Sequence, residues 1–270
     1  MGTPAGRAIL QSMRRAVVSA PALDEKAAMD KPANQSVQPS IAVVVPVLNE
    51  AEAIDASLSA LSGHTGFREI IVVDGGSEDA TCDVAGRVAD AIGKGTIRVL
   101  KASRGRALQM NRGAQACQSE ILLFVHADTR LPVSAAERIG EVMRSGHVWG
   151  RFDVRLDDHH PLFRLIERSM NWRSALSGIA TGDQAIFVRR EAFEALGGYA
   201  PIGLMEDIEL CRRLKRLGRP ALIHDKVTVS TRRWRRHGIS RIMVLMWVLR
   251  LLYWFGVSGD RLARRYRSTG

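Results

Sequence analysis

Short apolar runs alternate with helical periodicity through the first half of the chain. Ile41–Val47 reads I-A-V-V-V-P-V, Glu69–Asp74 reads E-I-I-V-V-D, Thr96–Leu100 is a shorter run, and Ile121–Val125 reads I-L-L-F-V. Each is too brief for a helix and apolar without alternation, as expected of a strand covered on both faces. Between them, helices are expected from about Glu52 to Ser62, from Glu78-Asp79 onward with Ala80, Val84, Val88 and Ala91 at helical spacing, and over Leu108–Cys117. Alternating strands and helices predict an α/β fold with a doubly wound, mostly parallel sheet and right-handed crossovers.

The second half is less regular. Trp149–Leu156 and Gln184–Arg189 read as strands, Leu162–Ser174 as a helix, Gly197-Gly198-Tyr199 as a turn and Ala221–His224 as a closing strand. Asp207–Leu217 is an amphipathic helix with Leu210, Cys211, Leu214 and Leu217 facing inward. No repeat or long linker divides the halves, so residues 40–235 read as one domain. Residues 1–39 show no sustained apolar period and read as a disordered extension, with a transit peptide as the alternative. Residues 236–270 form a basic, hydrophobic helical tail containing Ile242–Val257, an apolar run interrupted by Arg250.

Composition changes this picture in two places. The net charge is +11 over 270 residues, yet Arg232–Gly270 holds ten arginines and one acid, so nine of those charges sit in the tail. An anionic partner for the tail follows. The apolar run falls short of the ~20 residues of a membrane span. Trp247, Tyr253 and Trp254 between flanking arginines suit a membrane interface instead. Packing on the domain, peripheral contact and spanning all remain open. No nucleic-acid module is present, so no nucleic-acid partner is expected. Three unpaired cysteines, Cys82, Cys117 and Cys211, fit small core residues of a cytoplasmic protein, with peripheral contact at the inner membrane face as an added expectation.

Three strand ends carry acids: Glu50, Asp74 and Asp128. Ligands of open α/β sheets bind just outside such ends. Carboxylates gathered there repel, and a cation or donor-rich ligand between them relieves the repulsion. A nucleotide fits: Asp74 accepts from the imide N–H of a pyrimidine, Gly75 and Gly76 allow close approach, and Asp128 holds a metal on the diphosphate. Arg104-Gly105-Arg106 lies where guanidinium groups meet phosphate. The bland alternative makes Asp128 a helix cap. There is no G-x-G-x-x-G and no P-loop. Glu206-Asp207 opens a helix; a neighbouring carboxylate and partial burial raise the pKa there and the helix N-terminus lowers it, leaving Asp207 ionised as a general base. The alternative is that both acids only complement the helix dipole.

Pro46-Val47-Leu48-Asn49-Glu50, Val73-Asp74-Gly75-Gly76-Ser77, His126-Ala127-Asp128, Gly182-Asp183-Gln184 and Met205-Glu206-Asp207 together resemble family 2 glycosyltransferases of the GT-A fold, over about residues 41–235. The wording H-A-D-T, G-D-Q, L-M-E-D and R-R-W most resembles a subgroup named for arsenosugar biosynthesis. The resemblance implies inverting, Mg²⁺- or Mn²⁺-dependent transfer of a sugar from a nucleotide donor, UDP- or another NDP-sugar, to an unknown acceptor. It implies donor binding by Pro46, Asn49, Glu50, Asp74, Gly75, Arg104, Ala127 and Asp128, with Asp128 the metal ligand. It also implies Asp207 as base beside Glu206, and Gly182, Asp183 and Gln184 on the acceptor side. His126 replaces the first Asp of the D-x-D metal motif. Ser230-Thr231-Arg232-Arg233-Trp234 resembles the Q-x-x-R-W motif of processive members without its Gln, which points to single transfer and puts Arg233 and Trp234 at the acceptor. The alternatives are a polyprenyl-phosphate sugar transferase at the membrane and a non-catalytic nucleotide-sugar-binding scaffold.

Overall fold

The computed structural model describes residues 38–93 and 95–268, so the extension expected over 1–39 lies, apart from Gln38 and Pro39, outside the described residues. Strand β1 (Ile41–Val47) has all seven residues buried. It lies mid-sheet, parallel to β2 (Phe67–Asp74) on one side and to β4 (Ile121–Phe124) on the other. Its side chains alternate between two cores: Val43, Val45 and Val47 pack on one face, Ala42 and Val44 on the other. That placement is why the run lacks polar residues.

Among the described residues, eight strands run in the order β3-β2-β1-β4-β7-β6-β8-β5. β3 (Ile97–Lys101) extends the parallel half. β7 (Phe187–Arg189) pairs antiparallel with both β4 and β6 (Trp149–Leu156), β8 (Ala221–Val229) lies parallel to β6, and β5 (Thr129–Arg130) closes the edge. The chain therefore moves outward from β1 to β3, then returns to β4 on the opposite side of β1. That reversal opens a crevice at the carboxyl ends of β1 and β4.

Helices α1 (Ala51–Ser62), α2 (Thr81–Ile92) and α3 (Arg106–Ala116) connect the parallel strands. Gly113 lets α3 close on the sheet, since a Cβ there would stand 2.4 Å from Val44. Helices α4 (Ala135–Arg144), α5 (Pro161–Ser177), α6 (Arg190–Ala195) and α7 (Glu206–Leu214) follow. The strand expected from Gln184 begins only at Phe187, because Gly182–Gln184 closes a 3₁₀ turn and Ala185 takes φ 45°. Conversely, β8 continues past His224 to Val229: a register shift opposite Phe152/Asp153 carries its polar middle outward and returns Val227 and Val229 to the core.

The tail forms α8 (Arg232–His237), α9 (Ile239–Trp254) and α10 (Gly259–Ser268). Leu249, Leu262 and Ala263 are buried against Leu204, Met205 and Ile208, a third core beside the start of α7. The other face of α9 leaves Val244, Trp247, Leu251 and Trp254 exposed. Among the described residues, no helix is long and apolar enough to cross a membrane.

Candidate active site

A cleft of about 880 Å³ opens at the crevice between β1 and β4 and is roofed by the tail. The turn after β1 supplies Asn49 and Glu50, and the turn after β4 supplies His126, Ala127 and Asp128. Asn49 adopts φ 55°, its N–H donating to the Ser77 hydroxyl and its side-chain oxygen accepting from the Glu78 N–H. Pro46, Arg104, Gly182, Asp183, Glu206, Asp207, Arg233 and Trp234 complete the expected residues that line the cleft.

Two of the three strand-end acids come together. Burial and the Asp128 charge push the Glu50 carboxyl above its ordinary pKa, against the pull of Arg232. Arg232 reaches Glu50 and Glu52 at 3.0 Å each. Burial likewise raises Asp128, which the nearby His126 offsets only in part. Asp74 is engaged locally. Its oxygens accept from the Gly76 N–H, the Ser77 N–H and the Ser77 hydroxyl, and it lies outside the cleft lining. Gly75 is also absent from the lining and packs on Gln109, whose amide donates to the carbonyls of Val47 and Val73. Asp74 thus stands in register with Val47 at the end of its strand and holds the turn that carries Ser77.

His126 has its Nδ1 3.5 Å from Asp183. Desolvation opposes its charge, but the bond to Asp183 and the charges of Asp183 and Asp128 outweigh it and raise its pKa. Asp183 is held below its ordinary value by the same contact, despite its own desolvation. Gln184 does not reach the cleft. It is wholly buried and closes the capping box of its 3₁₀ turn, the reciprocal bonding of Thr181 and Gln184.

The third group lies at the start of α7. Met205 turns the chain with φ 70° and delivers Glu206 and Asp207. Oδ2 of Asp207 accepts from the Gly182 N–H at 3.0 Å, and Oδ1 from the Ile208 N–H at 2.7 Å. Glu206 is buried, with the Arg106 guanidinium 3.4 Å away. Burial raises its pKa, Arg106 counters, and Asp207 raises it further. The loop before α7 is fixed by the tail: the Gly203 N–H donates to Asp260 at 2.8 Å, and Gly259 packs so closely that a Cβ would meet the Leu204 carbonyl at 2.4 Å.

Sequence reasoning missed Arg106 as the counter-ion, and missed Met246, Arg250 and Tyr266 from the tail, all of which line the cleft. Tyr266 underlies Arg233, whose Cζ is 4.4 Å from the ring centroid. Trp234 meets Phe163 edge-on. The one available signal for Arg250 was a lone charge within an apolar helix.

The model of Glycosyl transferase family 2 matches residues 42–197, more than half of the chain. A PGL/p-HBAD biosynthesis glycosyltransferase of Mycobacterium bovis is 33% identical over 175 residues, covering 60% of this chain and 63% of that protein. The chain thus spans under two thirds of the length of such relatives. Over 96 residues, or 34% of this chain and 32% of that protein, it is 32% identical to glycosyltransferase AglE of Haloferax volcanii. Among solved structures, S. aureus TarS 1-349 in complex with UDP-GlcNAc superposes with a TM-score of 0.59 at 16% identity, covering 72% of this chain and 59% of that one. The mannosyltransferase PcManGT from Pyrobaculum calidifontis, in complex with GDP-Man and Mn²⁺, gives 0.55 at 20% identity, covering 83% and 66%. These likenesses agree with the GT-A architecture built above, and the chain belongs to glycosyltransferase family 2.

Proposed function

We propose that the chain transfers a sugar from a nucleoside-diphosphate donor to an acceptor hydroxyl with inversion, assisted by Mg²⁺ or Mn²⁺ and with Asp207 as general base. The observation that carries this reading is the division of one cleft between two sets of acids, Glu50 with Asp128 and Glu206 with Asp207. They are bridged by His126, Asp183 and the Gly182 N–H. The acceptor oxygen forms its bond to the anomeric carbon as Asp207 takes its proton. The bond from that carbon to the diphosphate oxygen breaks, and its electron pair leaves with the nucleotide.

Among the described residues, no group of three or more His, Cys, Asp or Glu forms a ready metal cage. Asp128 nonetheless fits a hard cation. Its half-buried, incompletely compensated carboxylate would supply one oxygen ligand, and Mg²⁺ typically completes its shell with substrate phosphate and water. Beside it, His126 is held through its Nδ1 by the Asp183 carboxylate. When bound, the cation neutralises charge developing on the diphosphate. Pro46, Asn49, Glu50, Arg104 and Ala127 frame the donor, with Asp74 and Gly75 acting through the turn that holds Asn49. Gly182, Asp183, Arg233 and Trp234 frame the acceptor, and Gln184 supports them from behind.

The division into a catalytic domain over 40–235 and a tail over 236–270 belongs to this proposal, as does the arsenosugar-named subgroup, which rests on motif wording alone. A second reading, a polyprenyl-phosphate sugar transferase on the inner face of the cytoplasmic membrane, is favoured by the exposed Trp247, Leu251 and Trp254 on α9 and the exposed Leu165, Trp172 and Leu176 on α5. Titration calorimetry with UDP and GDP, with Mn²⁺ and with EDTA, tests the donor side. Neither nucleotide binding under either condition would remove the sugar-nucleotide reading.

A further inference from the structure

The cleft carries cations at both ends, and they divide by partner. Arg232 serves the first set of acids, bonding Glu50 and Glu52. Arg250, on the inner face of α9, lines the cleft and acts on Asp183. Behind it stands Arg173 of α5, close enough to Asp207 to feel its charge.

These two guanidinium groups are poorly satisfied. Nε of Arg250 and Nη2 of Arg173 are buried without a hydrogen-bond partner among the described residues. Burial, followed by the repulsion of Arg250, pushes Arg173 down to about 10. The acids that act on them are engaged elsewhere. Asp183 is engaged by His126, and both oxygens of Asp207 accept backbone N–H groups. Buried donors of like charge persist where an anion or another acceptor completes them.

We propose that Arg250, backed by Arg173, receives an anionic group, phosphate or carboxylate, carried by the acceptor, and so presents the acceptor hydroxyl to Asp207. The inference rests on the glycosyltransferase reading above. The guanidinium fork matches either anion in a bidentate fashion, and the Asp207 end of the cleft is where an acceptor must enter. The anion belongs either to a lipid, which the apolar outer face of α9 would seat, or to a water-soluble phosphate.

The test is calorimetry on the full chain saturated with UDP and Mn²⁺, titrated with octyl phosphate, octanol and inorganic phosphate. Octyl phosphate should bind ~10–100-fold more tightly than octanol, the worth of one or two charge-assisted hydrogen bonds. Arg250→Gln should abolish that preference, Arg250→Lys should restore part of it, and UDP affinity should hold within about twofold in both. Competition by inorganic phosphate at similar concentration would identify the free anion as sufficient; its failure to compete would identify the amphiphile. Equal binding of octyl phosphate and octanol by the wild type overturns the proposal without any variant. So does an Arg250→Gln protein that loses UDP but keeps the octyl phosphate preference, because Arg250 would then serve the donor. If the wild type binds no UDP, the donor reading fails on its own, and the phosphate-to-alcohol comparison is made on the free protein.

Discussion

The backbone N–H of Gly182 donates to Oδ2 of Asp207 at 3.0 Å, while a Cβ on the same glycine would stand 2.6 Å from the His126 ring. One small residue thus couples the turn after β4 to the first turn of α7. Gly182→Ala should fold normally, since the obstructing neighbour is a side chain at the cleft and not core backbone. It should displace His126 or the Asp207 contact by a fraction of an ångström to an ångström, for which a loss of ~10²-fold in turnover is expected. Steady-state rates beside circular dichroism check this; wild-type turnover in a folded variant would refute the coupling.

Asp207→Asn preserves size and removes the basic oxygen. Turnover should fall by roughly 10²–10⁴ with donor affinity nearly unchanged, because a general base acts on the transition state more than on bound donor. Glu206→Gln should have the smaller effect, since Glu206 is buried with its carboxylate 3.4 Å from the Arg106 guanidinium. Donor Kd measured beside the transfer rate separates the two. A wild type that binds donor and transfers to neither acceptor nor water would favour a binding scaffold.

The parallel half of the fold was legible because each strand is covered on both faces and so lacks polar residues, as β1 shows with seven buried positions. Strand ends could be read for the same reason, and with them Glu50 and Asp128. Side-chain direction could not. Asp74 ends its strand as Glu50 and Asp128 follow theirs, yet its oxygens are taken up by the N–H groups of Gly76 and Ser77. Gln184 reads as a polar site residue and instead closes a buried turn. The tail was the least legible part. Its apolar run is buried on one face at Leu249 and exposed on the other at Trp247, a split that depends on the tertiary partner Leu204–Ile208 and not on composition.

Two pKa shifts give opposite pH signatures. Asp128 is raised, so it takes up a proton at a higher pH than an ordinary aspartate. Binding of a nucleoside diphosphate with Mn²⁺ needs the charged form. Affinity should therefore fall as pH drops through that raised value, and Asp128→Asn should bind weakly with this pH dependence removed. Calorimetry across pH 4–7 (about the range in which carboxylates and imidazoles titrate) makes the comparison; equal affinity in EDTA and Mn²⁺ for both proteins would refute the assignment of Asp128.

His126 is raised as a base. Its contribution to stability is complete below the unfolded-state imidazole pKa and disappears as pH rises through the higher folded-state value. His126→Gln should flatten that part of the Tm-against-pH curve. An unchanged slope in the variant would show that Asp183 does not hold a charged imidazole.

The tail has two faces and two separable tests. On the inner face, Leu249 is wholly buried in the third core, and Leu249→Ala should destabilise the protein by about 2–4 kcal/mol through lost contacts and a cavity. Because that core holds Leu204, Met205 and Ile208 beside the start of α7, turnover should fall with it. Truncation after His237 should act in the same direction and more strongly, exposing those residues. On the outer face, Trp247 and Trp254 are 64% and 70% exposed, with exposed Arg235, Arg236 and Arg241 nearby in the chain. Their double replacement by Gln removes apolar area that makes little contact with the domain, so stability should change by less than about 0.5 kcal/mol. Sedimentation with anionic liposomes, partly released by salt in the wild type, should be largely lost. If the double variant sediments as well as the wild type, α9 is only a packing helix and the membrane-facing reading fails. If it instead unfolds, the outer face belongs to the fold, and the polyprenyl-phosphate reading loses the surface that favours it.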